Sequence, residues 1–178
     1  LVAEQQPTLT VTAAPPAQLV FVTTPTTAIA GTPFGLAPEV GVLDSLGNRN
    51  LAFTGSVTLA LAANPGGSTL TGTLTRAAVA GVAAFPGLSL DRAADGYRLL
   101  ATSGALGSAT SNALTVVPGG TSGVRSTLTT SAATLVAGQD TATITVTARD
   151  ANDNPISGLA VVLSATGTGL VLEQPAAV

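Results

Sequence analysis

Apolar and polar residues alternate with period two along most of the chain, in runs cut at short intervals by Gly, Pro, Asn and Asp. That pattern predicts short β-strands with one dry and one wet face, not helices. Leu19 and Phe21 share a face near the start. Phe34, Leu36, Val40 and Val42 line the next run, and Val57, Leu59 and Leu61 the one after it. Leu70 and Leu74 mark a fourth strand. Val79, Val82 and Phe85 lie in a looser stretch broken by glycine. Leu99 and Ala101 follow, and Leu114 and Val116 end the series. Further on, Ala142, Ile144, Val146 and Ala148 alternate with Thr143, Thr145, Thr147 and Arg149. Pro38 lies within the second run and lacks an N–H, which predicts an edge or a bulge there. No stretch of useful length has a period of 3.6, and the abundant Gly, Pro, Thr and Val oppose helix formation.

The pattern recurs. Ala30-Gly31 matches Ala137-Gly138 at an offset of 107. Val40, Val42, Asp44 and Asn48 match Val146, Ala148, Asp150 and Asn154 at an offset of 106. Val57, Leu59 and Leu61 correspond to Leu159, Val161 and Leu163, and Leu70 falls near Leu172. Thr8-Leu9-Thr10-Val11 matches Ala113-Leu114-Thr115-Val116 at an offset of 105, and the linker Ala14-Pro15-Pro16 corresponds to Pro118-Gly119-Gly120. A shared register of this kind is the mark of a repeat. It divides the chain into residues 1–14, the terminal strand of a preceding domain; residues 17–118, one complete sandwich; and residues 122–178, the N-terminal part of a further domain.

Turn chemistry fits that division. Asp44 to Asn48, Asn64-Pro65-Gly66-Gly67 and Asp150 to Pro155 are rich in residues that bond their own backbone or accept unusual dihedrals. Asp95-Gly96-Tyr97 precedes the run through Leu99. It resembles the tyrosine corner of Greek-key sandwiches, in which a Tyr hydroxyl bonds back to nearby backbone.

Ser126, Leu128, Val136 to Gly138, Asp140, Ile144, Val146, Asp150, Asn154-Pro155, Gly158, Val161, Leu163 and Gly167 together resemble the bacterial immunoglobulin-like domains of the invasin and intimin type. Residues 17–118 resemble bacterial immunoglobulin-like repeats more loosely, through Ala30-Gly31, Asp44, Gly47-Asn48 and Asp95-Gly96-Tyr97. The resemblance implies an all-β fold of immunoglobulin-like Greek-key β-sandwich repeats in tandem. Such modules serve in surface adhesins, stalks and other secreted proteins, and the family supplies no catalytic residues.

Composition narrows the functional classes. The chain has 178 residues, a net charge of -3 and only 8% charged residues. Its six basic residues, all Arg, are scattered, so there is no electrostatic footprint for nucleic acid. His, Cys, Met, Trp and Lys are absent, which removes thiol chemistry, zinc fingers and any His- or Lys-activated nucleophile. The longest apolar stretch, Ala77 to Leu90, is broken by Gly81, Pro86 and Gly87 and is too short to cross a membrane. The first residues carry no basic start and no long apolar stretch of a signal peptide. Low charge with abundant Thr, Ser and Gly suits an extracellular, secreted or cell-surface structural protein.

Three groups compete for a chemical role. Asp91 and Asp95 form a carboxylate pair four residues apart beside the tyrosine corner, and turn and corner roles account for them. Asp150, Asn152, Asp153 and Asn154 offer oxygens to calcium but lack the later bidentate Glu of an EF-hand loop, so turn chemistry accounts for them too. Thr141, Thr143, Thr145 and Thr147 form a hydroxyl ladder for ice or glycan, yet Thr is an ordinary residue for an exposed strand face. The expected sites are therefore none catalytic, none cofactor-binding and none metal-binding, and no cofactor is implied. The expected partners are neighbouring repeats or identical subunits, with other surface proteins or glycans as the alternative. A free terminal strand could also complete a domain in another subunit by strand addition, which would build a filament. A role as accessory domain of a secreted enzyme is the third reading.

Overall fold

The computed structural model describes residues 14–136, 138–164, 166, 171, 173 and 174. The Thr8–Val11 strand and the position of Leu172 fall outside the described residues.

Eleven strands form among the described residues, and no helix does: β1 (Pro16–Thr23), β2 (Thr27–Ile29), β3 (Glu39–Asp44), β4 (Ser56–Ala63), β5 (Thr75–Ala77), β6 (Val82–Ala84), β7 (Ala94–Thr102), β8 (Ala109–Thr110), β9 (Leu114–Val117), β10 (Thr127–Thr130) and β11 (Ile144–Thr147). Three strands make one sheet in the order β1-β3-β6. Opposite them runs a second sheet in the order β2-β9-β7-β4-β5, with β8 on β7. Every pairing within the two sheets is antiparallel except β2 with β9. Two sheets that exchange consecutive strands in this order are the Greek-key, immunoglobulin-like sandwich. The hairpin β10–β11 is a separate ladder.

The core follows from the alternation. Val40 and Val42 of β3 face Val57 and Leu59 of β4, Tyr97, Leu99 and Ala101 of β7, and Leu114 and Val116 of β9, all buried in one cluster. Phe85, Leu88 and Leu90 fill the space between the sheets from the connection after β6. Burying large apolar side chains of this kind contributes about 1.5–3 kcal/mol each.

The period-two reading fails where the backbone cannot extend. Leu36 is half exposed, because Pro33 and Pro38 keep its segment out of any ladder. Pro38 is buried ahead of β3, and its carbonyl accepts the Phe85 N–H at 2.9 Å. No strand spans Leu70 to Leu74, since Gly72 between them takes a φ of +109°. Both leucines still pack on the core. Val79 is exposed at the end of a tight hairpin whose two central residues, Ala80 and Gly81, have φ of +48° and +73°. That turn requires positive φ at both positions. Thr141 and Thr143 lie before β11, and residues 159–163 join no ladder.

Candidate inter-unit joint

The most constructed polar feature lies where the sandwich of β1–β9 meets the segment that carries β10 and β11. It grows outward from Tyr97. This ring is fully buried, and its hydroxyl donates to the Arg92 carbonyl at 2.7 Å. That bond is the tyrosine corner expected from Asp95-Gly96-Tyr97. Gly66 lies so close to the hydroxyl that a Cβ there would collide with it.

A second clamp comes from the turn after β4. Asn64 closes it, donating from Nδ2 to the Ser68 carbonyl at 2.9 Å and accepting the Ser68 N–H on Oδ1 at 2.8 Å. The Ser68 hydroxyl then donates to Asp91 Oδ1 at 2.6 Å and accepts the N–H groups of Asp91 and Arg92. The Ser68 hydroxyl and, after the opposing effect of burial, the Thr69 N–H hold the Asp91 carboxyl below its usual value. A carboxylate held so acidic is a poor base, so this Ser–Asp contact fixes a loop and does not prepare a nucleophile. Asp95 is exposed and takes no part in it.

With residues 91–93 held from beneath, their outward backbone groups are presented in fixed positions. Asn154 occupies them. Its Nδ2 donates to the Asp91 carbonyl at 2.8 Å, and its Oδ1 accepts the Ala93 N–H at 2.9 Å. A primary amide has the donor and acceptor of a peptide group, so it pairs with alternate backbone positions as a neighbouring strand would. Arg92 adds a bond from Nη1 to the Asn152 carbonyl at 3.0 Å. On the other side, Gly31 at φ +75° leaves room for the Asn152 side chain, which would collide with a Cβ there.

Asp150 shapes the turn that carries Asn154. Its Oδ1 accepts the N–H groups of Asn152 and Asn154 at 2.8 and 2.9 Å, and its Oδ2 accepts Asn154 Nδ2 and the Gly119 N–H at 2.8 and 2.9 Å. Burial alone would push this carboxyl up. The Asn154 amide and the N–H groups of Gly119, Asn154 and Asn152 outweigh it and leave Asp150 below its usual value. Each Asp150 oxygen is thus already an acceptor to N–H donors. Asp153 turns away to an exposed ion pair with Arg125 at 3.1 Å, and such a pair is worth about 0–1 kcal/mol. The oxygens read as a calcium set are therefore divided between turn bonds and the joint. Among the described residues no group of three or more acidic side chains could hold a metal.

The same turn is built at the other pole of the sandwich. Asp44 Oδ1 accepts the N–H groups of Leu46 and Asn48 at 2.9 and 2.8 Å. Asp44 Oδ2 accepts Asn48 Nδ2 at 3.3 Å and the Ala14 N–H at 3.2 Å. Gly47, with φ +86°, stands where Asp153, with φ +66°, stands in the other turn. Asn50 adds a bond from Nδ2 to the Ala14 carbonyl at 2.9 Å. In both turns a buried Asp ties its own loop to the incoming linker.

The hydroxyl ladder is only partly assembled. Thr145 and Thr147 pair with Thr129 and Thr127 across β10–β11, while Thr141 and Thr143 lie off the strand. The role of Asn154 was missed from sequence, because its partners lie 61 and 63 residues away. The signal available was the repeated Asp-x-x-x-Asn spacing at 44–48 and 150–154.

No family model matches the chain. The search of curated proteins also finds no match. Among solved structures, the chain is similar to the Escherichia coli adhesin FdeC, at 21% identity and a TM-score of 0.51, covering 84% of this chain and 46% of that one. It is similar to domains 4–9 of the surface layer protein SbsC at 17% identity and a TM-score of 0.42, covering 80% of this chain and 21% of that one. A β-glucuronidase of Parabacteroides merdae matches at 18% identity and a TM-score of 0.42, covering 59% of this chain and 13% of that one. The chain spans less than half the length of each of these. At this identity the first likeness establishes the fold.

Proposed function

We propose that the chain is a non-catalytic structural segment of an extracellular, cell-surface protein. In this reading residues 17–118 are one complete immunoglobulin-like repeat, residues 122–178 are the first part of the next, and bacterial immunoglobulin-like modules are the family. The observation that carries it is Asn154, buried at the meeting of the two units and bonded to the backbone on both sides of Arg92. Units tied by a flexible linker alone would tumble independently. A buried, bidentate amide instead fixes the angle between neighbours, which is what a spacer or stalk requires. The aromatic rings support the same reading over glycan binding. Phe34, Phe85 and Tyr97 are buried, and Phe21 and Phe53 pack against the core, so none is left as a platform for a sugar.

Asn154→Ala removes both bonds and leaves Asp91 O and Ala93 N without partners, a loss of about 1–3 kcal/mol at the joint. Small-angle X-ray scattering of the full chain is expected to show a wider spread of pair distances in the variant at unchanged β content. Identical curves for the two proteins would overturn the joint.

Assembly between chains by strand complementation is a second reading, favoured by the open face of β10–β11, where Leu128 and Ile144 are exposed. Electron microscopy of the purified chain tests it. Head-to-tail filaments would support it, and monodisperse particles alone would overturn it.

A further inference from the structure

The pole of the sandwich around Asn48 repeats the four carboxylate bonds of the Asn154 turn, yet its surroundings are different. Asn154 is 3% exposed and clipped to residues 91–93. Asn48 is exposed, and Leu46, in the place of Asn152, is 80% exposed. The Asp44 carboxylate spends four bonds on holding this turn and the Ala14 linker in the same arrangement in which Asp150 holds Asn154 and Gly119. The buried Asp44 carboxylate stabilises its own turn and fixes the tip of an exposed loop. A docking plug gains from such a tip, because the cost of ordering it is met before contact.

We propose that the Asn48 turn is a docking face for the tyrosine-corner end of another immunoglobulin-like domain, joined in line ahead of Ala14. The Asn48 amide would pair with one carbonyl and one N–H two residues apart on that domain, as Asn154 pairs with Asp91 and Ala93. Leu46 would lie against that domain's counterpart of Gly31, as Asn152 lies against Gly31 here. In sequence Thr8 to Val11 match Ala113 to Val116, and Leu114–Val117 is β9, the last strand of the sandwich, so the repeat calls for a domain end of the same kind ahead of the linker. The inference rests on the tandem-repeat reading above and adds to it that the joint is a recurring device. The partner is recognised by backbone geometry rather than by side-chain identity.

The chain has no Cys, so spin labels can be placed on single introduced cysteines. A tandem protein of residues 14–118 followed by residues 14–178 keeps the linker in register. One label pair, at Thr75→Cys in each copy, reports the new joint. A second pair, at Thr75→Cys in the trailing copy and Thr145→Cys, reports the Asn154 joint. Both distance distributions are expected to be narrow, and Asn48→Ala in the trailing copy should broaden the first roughly twofold. Ala93→Pro in the leading copy removes the receiving N–H without touching the plug, and should do the same. If both variants leave the first width unchanged while Asn154→Ala broadens the second, the Asn48 face is not a docking face and the Asn154 joint stands. If Asn154→Ala leaves the second width unchanged as well, the joint reading falls with it.

Discussion

Tyr97→Ala is expected to lower the unfolding free energy by about 3–5 kcal/mol, the range for deleting a buried aromatic ring. That approaches the whole stability of many domains of this size. The ring is fully buried, so its loss leaves a cavity in the core cluster. Tyr97→Phe separates the hydroxyl from the ring. It leaves the Arg92 carbonyl without its internal donor and is expected to cost about 1–2 kcal/mol. Urea unfolding followed by far-ultraviolet circular dichroism reads both variants. The phenol cannot serve as the probe, since Tyr97 is the only Tyr and the chain has no Trp. A Tyr97→Ala protein within 1 kcal/mol of the parent would remove the ring from the centre of the core. A Tyr97→Phe protein of unchanged stability would show that the corner bond contributes nothing. The phenylalanine variant should also loosen the joint, because Arg92 lies between the two residues that receive Asn154.

What was legible in the sequence follows from which interactions are local. Strand faces such as Val40 with Val42, Val57 with Leu59, Leu99 with Ala101 and Leu114 with Val116 were readable, because a one-sided sheet writes its burial into every second residue. Tyr97 was readable because Asp-Gly-Tyr before an alternating run is a local turn signal, and the hydroxyl reaches back only five residues. Leu36 and Leu70 were misplaced for a backbone reason. Pro33, Pro38 and the positive φ of Gly72 take their segments out of the extended state, where period two has no meaning. The Asp150 turn was recognised as a turn but not as a joint. Its internal bonds span two to four residues, whereas the receiving groups are backbone atoms, and backbone atoms leave no trace in residue identity. Only the repetition of the turn at Asp44, in step with the linkers, pointed to something shared by the two turns.

Asp150→Ala is expected to be the most damaging single change at the joint. It strips the acceptor from the N–H groups of Gly119, Asn152 and Asn154 and from the Asn154 amide, which is buried. Leaving four donors unpaired, two of them buried and two half-buried, costs about 3–5 kcal/mol. Asp150→Asn keeps the shape but turns a donor toward groups that already donate, and should lie between the parent and Asp150→Ala. The same bonds set a pH dependence. Burial raises the Asp150 carboxyl, the N–H donors together lower it by more, and the net folded value is below the ordinary 3.8. A carboxyl depressed on folding stabilises the folded state fully above its unfolded value. That stability is lost as pH falls through the folded value. Asp44 and Asp91 are shifted in the same direction, with burial opposed by the Asn48 and linker N–H groups at Asp44 and with the Ser68 hydroxyl leading at Asp91. The parent should therefore hold its stability from neutral pH down to about pH 4–5 and lose it progressively below that. Acid titration of Asp150→Asn against the parent isolates one member of the set. Because the variant no longer titrates at this position, the gap between the two proteins should be widest at neutral pH and close as the pH falls below 3.8. A gap that stays constant down to the acid transition would mean that the charge on Asp150 contributes nothing to holding the linker to the turn.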